Sequence, residues 1–285
     1  MSDLDRDGAL ACEAPAPVMR APCLAQRGAM FSPAARDVPE ETAIALTFNG
    51  ATHAVMMATP ADFEDFAIGF SFTEGLIDKV SDLSGFEMIP TKLGVELRSW
   101  LPAERASDHA ARRRAMAGPT GCGLCGIESL EQAMRAAPPV SSALTFGRRD
   151  ISEAIASLGA GQFLNEQTHA VHAAGFWTPA RGLVAAREDV GRHNALDKLA
   201  GALLRAGVAP AEGLVLLTSR VSVELIQKIA RMGAAAVVAI SAPTAAAIRL
   251  ADACGVTLVA VARGKDFEVF THPARIIDRV AANVA

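Results

Sequence analysis

The sequence lacks several features that define common classes of protein. Among its 285 residues, 27 are Lys or Arg and 31 are Asp or Glu, so the net charge is −4. There is therefore no overall basic excess of the kind that nucleic-acid binding needs. No apolar run approaches the roughly 20 residues that span a bilayer, and the first residues contain no apolar signal segment. Because 51% of residues are apolar and 20% are charged, we predict a soluble globular protein that contacts neither nucleic acid nor membranes.

Cysteine is also scarce, and its pattern argues against two further classes. Five cysteines, an odd number, do not form a disulfide framework, which favours a reducing compartment. Cys122 and Cys125 form the single C-x-x-C motif, so structural zinc would lack a second ligand pair. None of the six histidines has Glu two residues later, as zinc deaminases require. We therefore predict no metal site. The absence of G-x-S-x-G removes the usual serine hydrolase signal.

Composition divides the chain into a tail and one domain. Residues 1–38 are rich in Ala and Pro without periodicity, which predicts a flexible tail. We interpret residues 39–285 as a single α/β domain. Its first part, 39–140, contains a hairpin, a helix and the C-x-x-C loop. Its second part, 141–285, contains a βαβαβ pattern.

The beginning of the domain predicts a hairpin followed by a helix. Asn49-Gly50 separates two β-rich runs within residues 42–58, which is typical of a type I′ turn. Thr59 is suited to cap the following helix, which we expect to end near Gly75. Its apolar stripe consists of Phe63, Phe66, Ala67 and Phe70.

The second half of the domain alternates short strands with helices of 10 to 12 residues. This alternation predicts a largely parallel sheet with helices on its faces. The predicted strands are 213–218, 236–240 and 256–261, and the predicted helices are 222–232 and 243–253.

The C-x-x-C motif lies on a glycine-rich turn, 118–126, that leads into a predicted helix. Helix amides and the upstream arginines 112–114 would lower a cysteine pKa from about 8.5 toward roughly 3.5 to 7.5. A dinucleotide fingerprint or a thioredoxin-like pair would need a strand before the motif, where the polar arginine-rich stretch lies instead. We therefore favour nucleophilic chemistry of Cys122 and Cys125, most directly attack on another sulfur.

A second group of candidate residues follows the three predicted parallel strands. Ligands of open parallel sheets bind at the carboxyl ends of strands, where helix amides are unpaired. Hydroxyl and cationic side chains at one edge predict an anionic, nucleotide-bearing ligand. The alternative is ordinary helix capping by the hydroxyls, which leaves the cations unexplained. The residues are Ser219, Arg220, Ser241, Thr244, Arg263 and Lys265.

A third polar group, Arg187–Asn194, precedes another helix. It contains more polar residues than a helix cap needs, so it either orients a ligand or holds the sheet edge together. His193 is a candidate acid or base. The sequence leaves both interpretations open.

Several motifs together resemble the FdhD family, the accessory sulfurtransferases of formate dehydrogenase. The resemblance extends from about Glu40 to Pro273 and includes the early segment VMMATPADFEDFAIGFSFTEGLI. It implies a cytidine-deaminase-like three-layer α/β core without the zinc site, a homodimer and a cytoplasmic location. The matching motifs are 121–126, 187–193, 218–220, 227–228, 241–244 and 270–273.

The resemblance also implies a mechanism. A cysteine desulfurase supplies sulfur, Cys122 carries it as a persulfide, and Cys125 assists or protects. The sulfur is delivered to molybdenum in Mo-bis(molybdopterin guanine dinucleotide), the cofactor of formate dehydrogenase. A guanine nucleotide is expected to fit the same site. The implied cofactor-binding residues are Val261, Ala262, Arg263, Gly264, Lys265 and Asp266.

Two other functions remain open at this point. A chaperone could bind the molybdenum cofactor or the apo-enzyme without catalysis, with the cysteines as contacts only. A thiol–disulfide oxidoreductase would instead cycle a Cys122–Cys125 disulfide.

Overall fold

The computed structural model describes residues 13–102 and 137–277, which contain fourteen strands and six α-helices. The first strands are β1 (Val18–Arg27), β2 (Met30–Pro39), β3 (Thr42–Phe48), β4 (Ala51–Ala58), β5 (Gly85–Thr91), β6 (Gly94–Trp100) and β7 (Phe146–Gly147). The later strands are β8 (His172–Thr178), β9 (Gly182–Asp189), β10 (Leu214–Leu217), β11 (Ala236–Ala239), β12 (Thr257–Arg263), β13 (Asp266–Val269) and β14 (Ile276–Ile277). The helices are α1 (Phe63–Thr73), α2 (Arg148–Leu158), α3 (Phe163–Thr168), α4 (Arg192–Arg205), α5 (Val223–Met232) and α6 (Ala245–Cys254).

The central sheet has six strands in the order β13-β12-β11-β10-β8-β9. Only β10, β11 and β12 are mutually parallel, whereas β8, β9 and β13 join as antiparallel strands. The prediction of a largely parallel sheet is therefore wrong for the outer strands. Short turns connect β8 to β9 and β12 to β13, and a short turn can only produce an antiparallel pair.

Helices cover both faces of the central sheet. Apolar side chains of α4, α5 and α6 pack against one face, and those of α2 pack against the other. The strand β10 is buried on both sides, which explains its continuous apolar sequence. The molecule is thus a mixed α/β protein with three layers at its centre. The likeness of this core to cytidine deaminases stays a prediction.

The predicted βαβαβ unit is confirmed. Its three strands and two helices are β10, α5, β11, α6 and β12, and all five lie within about two residues of their predicted positions. Local pattern was sufficient here because each element is short, apolar and bounded by turn or cap residues.

A second sheet, in the order β4-β3-β6-β5, is formed by the first half of the domain. Asn49 and Gly50 both have positive φ, 48° and 78°, so the predicted type I′ hairpin between β3 and β4 is confirmed. Helix α1 packs on this sheet through Phe66, Ala67 and Phe70, as its spacing predicted.

The start of α1 differs from the prediction. Asp62, in the left-handed conformation, is the residue that precedes the helix, and Thr59 does not cap it. Instead, the Thr59 hydroxyl accepts a hydrogen bond from Val190 N at 3.0 Å. The side chain bonds to a segment 131 residues away, which local sequence cannot reveal.

Helices α1 and α4 cross with their backbones in contact. A Cβ atom at Gly69 would lie 1.7 Å from Asp197 O, and one at Gly201 would lie 1.9 Å from Asp65 O. Glycine is thus required at both positions for the helices to approach this closely. This crossing joins the two halves of the domain.

The N-terminal region also differs from the prediction. Strands β1 and β2 form an antiparallel hairpin around Gly28, so the predicted flexible tail does not hold for residues 18–38. Arg36 anchors the hairpin by donating to Thr168 O at 3.3 Å. Adjacent Ala and Pro residues, Ala21-Pro22 in β1 and Pro33-Ala34-Ala35 in β2, concealed the strand pattern. Residues 1–12 lie outside the described part of the chain. Within that part, no helix has both the length and the apolar character needed to cross a membrane.

Candidate functional site

The residues predicted to bind an anion lie along one edge of the central sheet, which we call the strand-end edge. It consists of residues 218–222, 240–244 and 261–266, which follow β10, β11 and β12. Parallel pairing brings their carboxyl ends together. Backbone hydrogen bonds connect the three segments directly: Val221 N to Ala242 O (3.3 Å), Thr244 N to Val221 O (2.9 Å) and Val261 N to Ser241 O (3.3 Å).

Three cationic side chains lie on this edge. Arg220, Arg263 and Lys265 are exposed, and none forms an ion pair within residues 13–102 and 137–277. A basic group without a carboxylate partner at converging strand ends is available for an anionic ligand. The structure therefore places Arg220, Arg263 and Lys265 on exposed segments that follow strands of the central sheet.

Two hydroxyl groups of this edge already form hydrogen bonds within the protein. Thr244 caps α6, because its Oγ1 accepts from Ala247 N at 3.2 Å. The buried Ser219 hydroxyl donates to Arg220 O at 3.1 Å. The capping interpretation is thus correct for Thr244. It does not account for the cations.

The implied cofactor segment 261–266 forms the end of β12 and the turn into β13. Val261 has a φ of 53°, which is unfavourable for a β-branched residue, and Gly264 has a φ of 61°. Ala262 is 2% exposed and packs in an apolar cluster, so its side chain faces the core. Arg263, Gly264, Lys265 and Asp266 are exposed at the edge.

The polar group Arg187–Asn194 lies at the same edge, a connection that the sequence did not reveal. Asp189 at the end of β9 pairs with His172 at the start of β8, and Thr218 N after β10 donates to Ala173 O. The edge therefore extends across five strands. Four strand spacings of about 4.8 Å give it a length of about 19 Å.

Most side chains of this group hold the fold together. Asp189 forms a fully buried ion pair with Lys198 at 2.7 Å and accepts from Thr59 N at 3.0 Å. Lys198 also donates to Thr59 O at 2.9 Å. Glu188 accepts from Leu164 N and Asn165 N at the start of α3; burial raises its pKa, although these two bonds oppose the shift.

A second buried cluster surrounds Lys228 of α5. Its Nζ lies 2.9 Å from Asp197 Oδ1 of α4 and 2.9 Å from Glu74 Oε1 after α1, and it donates to Thr73 Oγ1 at 3.0 Å. Burial alone would lower the pKa of Lys228, but the two carboxylates outweigh it and raise the pKa. The motif 227–228 therefore contributes a charged link among three helical segments.

His193 lies in the first turn of α4 and faces Glu224 in the first turn of α5. Burial, together with the charges of Lys228 and Arg192, lowers the pKa of His193 to about 3. The imidazole is consequently neutral at pH 7. His193 Nε2 and Glu224 Oε2 are 4.0 Å apart, and in the described part of the chain neither atom has a hydrogen-bond partner.

Sequence reasoning missed Asp197, Lys198 and Glu224. A signal existed for the first two, because adjacent charges interrupt the apolar sequence ALDKLAGALL of α4. Glu224 gave no such signal, since an acidic residue in a first turn is expected from the helix dipole alone.

The predicted nucleophiles Cys122 and Cys125, and the arginines 112–114, lie outside the described residues. Of the cysteines that are described, Cys23 is exposed on β1 and Cys254 is buried on α6. Burial raises the pKa of the Cys254 thiol, which makes it a poor nucleophile. In residues 13–102 and 137–277, no three His, Cys, Asp or Glu side chains are arranged to hold a metal.

Fold and site together define a mixed α/β protein with three exposed cationic side chains at the carboxyl ends of its parallel strands. Residues 39–277 match the model of the FdhD/NarQ family. The chain belongs to this family. The match begins at residue 39, where the sequence predicted that the domain starts.

Curated relatives cover most of the chain. It is 54% identical over 243 residues to the "Sulfur carrier protein FdhD" of Agrobacterium fabrum, covering 85% of this chain and 90% of the relative. It is 52% identical over 256 residues to the protein of the same name from Brucella abortus, and this match covers 90% of this chain and 95% of the relative.

A solved structure supports the fold. It is the crystal structure of a protein from Desulfotalea psychrophila described as a formate dehydrogenase accessory protein. The sequence identity is 26% and the TM-score is 0.71, and the match covers 91% of this chain and 99% of that chain.

Proposed function

We propose that this protein is a sulfurtransferase that carries sulfur to the molybdenum cofactor of a formate dehydrogenase. It accepts sulfur from a cysteine desulfurase as a persulfide on Cys122, with Cys125 assisting or protecting. It then hands the sulfur to molybdenum in Mo-bis(molybdopterin guanine dinucleotide), the substrate of the transfer. Membership of the FdhD/NarQ family and relatives named sulfur carrier proteins support this proposal.

The sulfur-accepting step needs only thiol chemistry. The Cys122 thiolate attacks the terminal sulfur of the donor persulfide, and the donor cysteine leaves as a thiolate. One S–S bond forms and one breaks, so no outside oxidant is required. Both thiols lie in the glycine-rich segment 118–126, which would allow close approach to another protein.

One observation carries the ligand-binding part of the proposal: Arg220, Arg263 and Lys265, which form no ion pair with any described residue, lie on connected segments at one sheet edge. A guanine dinucleotide presents phosphates, which such an edge attracts. The segment 261–266 and the residues Ser219, Ser241 and Thr244 would hold the nucleotide portion. A guanine nucleotide alone would fit the same positions.

The decisive experiment follows the sulfur atom. The full chain is incubated with a cysteine desulfurase and cysteine. The mass of the peptide that contains Cys122 is then measured by mass spectrometry. We expect the mass of one or more added sulfur atoms on wild type, and none at this position for Cys122→Ala. Cys23→Ala is the matched control, because Cys23 is exposed on the β1–β2 hairpin, and it should still acquire sulfur.

The activity of formate dehydrogenase distinguishes the proposed sulfurtransferase from a non-catalytic chaperone and from a thiol–disulfide oxidoreductase. We expect Cys122→Ala to abolish maturation of formate dehydrogenase while the cofactor still binds. Undamaged maturation would replace the proposal with a non-catalytic chaperone. A Cys122–Cys125 disulfide that forms and disappears during turnover would replace it with an oxidoreductase. The homodimer and the cytoplasmic location are further parts of the proposal.

A further inference from the structure

Four buried polar atoms without partners lie where α4 and α5 begin. They are Arg192 Nε, His193 Nε2, Ser222 Oγ and Glu224 Oε2. His193 is 8% exposed and Glu224 is 9% exposed, and within the described residues none of the four atoms forms a hydrogen bond. Leaving such an atom unsatisfied costs about 1–3 kcal/mol. Four of them in adjacent first turns indicate a position built for a ligand.

The separation of two of these atoms defines the ligand group. His193 Nε2 and Glu224 Oε2 are 4.0 Å apart, which is too long for a direct hydrogen bond. A single oxygen atom at about 2.8 Å from each would bridge them. We call this space the His193–Glu224 gap.

The chemistry of the gap restricts that oxygen further. A neutral imidazole with its proton on Nε2 donates, and a carboxylate only accepts. With the proton on Nε2, the bridging group accepts one hydrogen bond and donates another, which a hydroxyl does. A phosphate oxygen cannot donate in this way, and Glu224 would repel it. The side chains keep only about a tenth of their surface exposed, so a small group fits better than a ring.

The gap adjoins the strand-end edge. Glu224 follows Arg220 by four residues, and both α4 and α5 direct their amino ends to this edge. Helix amino ends and arginines favour phosphate, while a carboxylate beside a phosphate site commonly accepts from a ribose hydroxyl in α/β nucleotide sites.

We propose that the His193–Glu224 gap binds a ribose hydroxyl of the nucleotide held at the strand-end edge, and that the site thereby selects ribonucleotides. This inference rests on the nucleotide-bearing ligand of the proposed function. It adds the sugar contact and assigns it to Glu224 and His193.

The first test needs no substitution. Binding of GDP, 2′-deoxy-GDP and 3′-deoxy-GDP to the wild-type full chain is measured by isothermal titration calorimetry. We expect one of the two deoxynucleotides to bind about tenfold more weakly than GDP, because a hydrogen bond to a charged group is lost. Equal affinities for all three, or no binding of GDP, would overturn the assignment; equal affinities would mean that water fills the gap.

A variant identifies the residue responsible. Glu224→Gln keeps the shape and removes the charge, and we expect the affinity ratio of GDP to the weaker deoxynucleotide to fall close to one. Glu212→Gln is the matched control, since Glu212 is exposed before β10 at the opposite end of that strand. It should keep the tenfold ratio. An unchanged ratio in Glu224→Gln would contradict the inference.

The outcomes separate this inference from the sulfur-carrier proposal. A wild-type protein that acquires sulfur on Cys122 but binds ribo- and deoxynucleotides equally overturns the sugar contact alone. A protein that shows the sugar preference but never acquires sulfur overturns the sulfur chemistry alone.

Discussion

At the scale of single residues, buried charged side chains connect different elements of the fold. Lys198 and Lys228 reach Asp189 and Asp197, respectively, and both pairs are buried. His193 differs, because it is buried without a carboxylate at hydrogen-bond distance. Burial of a neutral imidazole makes stability depend on pH. Its pKa is lower in the folded chain, so at mildly acidic pH the unfolded chain binds a proton and the folded chain does not.

We predict that the protein loses stability as the pH falls below about 6.5. His193 has a pKa of about 3 in the folded chain against 6.5 ordinarily, so the unfolded state takes up a proton first. This costs about 2 kcal/mol at pH 5 compared with neutral pH. Burial also lowers the pKa of His172, which adds to the same trend. Urea unfolding at pH 7 and pH 5 measures the effect.

A substitution isolates the contribution of His193. His193→Gln should reduce the loss of stability between pH 7 and pH 5 by about 2 kcal/mol. His169→Gln, at an exposed position after α3, should leave the loss unchanged. An identical pH dependence in wild type and His193→Gln would contradict the prediction.

At the scale of elements, the position of α4 decides which residues face the site. Its first turn presents Arg192 and His193 at the strand-end edge, and its middle contacts α1 through Gly69 and Gly201. Because the two backbones touch, neither helix can shift without moving the other. The close crossing therefore fixes α4 against α1, and the ion pair of Lys228 with Asp197 holds α5 beside α4.

We predict that Gly201→Ala destabilises the fold by about 3 kcal/mol. The added Cβ would lie 1.9 Å from Asp65 O, so the helices must separate. Alanine favours helix by only about 1 kcal/mol over glycine, which is too little to compensate. Denaturant unfolding measures the change.

Gly159→Ala is the matched control for this substitution. Nothing lies within 4 Å of a Cβ atom at Gly159, and its φ is −56°. We expect its unfolding free energy to stay within about 1 kcal/mol of wild type. Similar losses for the two variants would show that the helix crossing is not close-packed.

At the scale of the whole molecule, the two sheets are joined by buried polar contacts as well as apolar packing. Lys198 of α4 bonds to Thr59, which follows β4 of the second sheet, and to Asp189 at the end of β9 of the central sheet. Lys228 likewise links α5 to Glu74 after α1. We therefore expect both halves of the domain to unfold together.

Lys198→Met tests this connection. It leaves the Asp189 carboxylate buried without its cation, which costs about 3–5 kcal/mol. For a domain of this size that lowers Tm by about 10 °C in a single transition. Lys92→Met, in the exposed turn between β5 and β6, should leave Tm unchanged. A loss below about 3 °C, or two separate transitions, would contradict this view.

Elements whose causes are local could be predicted from the amino-acid sequence alone. The Asn49-Gly50 turn, the stripe of α1 and the βαβαβ unit follow from turn conformation and apolar periodicity. The sequence also placed Ser219, Ser241 and Arg263 at one edge, because parallel strands bring their carboxyl ends together. The sequence did not predict the outer antiparallel strands or the β1–β2 hairpin, since short turns and alanine-rich strands give only a weak pattern of apolar and polar residues.

Which side chains meet across that edge depends on how the elements pack in three dimensions. The roles of Thr59 and of the His193–Glu224 gap depend on contacts between segments that are far apart in sequence. Lys198 follows Asp189 by only nine positions, but it also bonds to Thr59, 139 positions away. Their formation requires the glycine-mediated crossing of α1 and α4 and the packing of α5 beside α4. Local preference specifies elements, whereas the free energy of burial selects how these elements pack, and packing sets the distances on which the chemistry of the site depends.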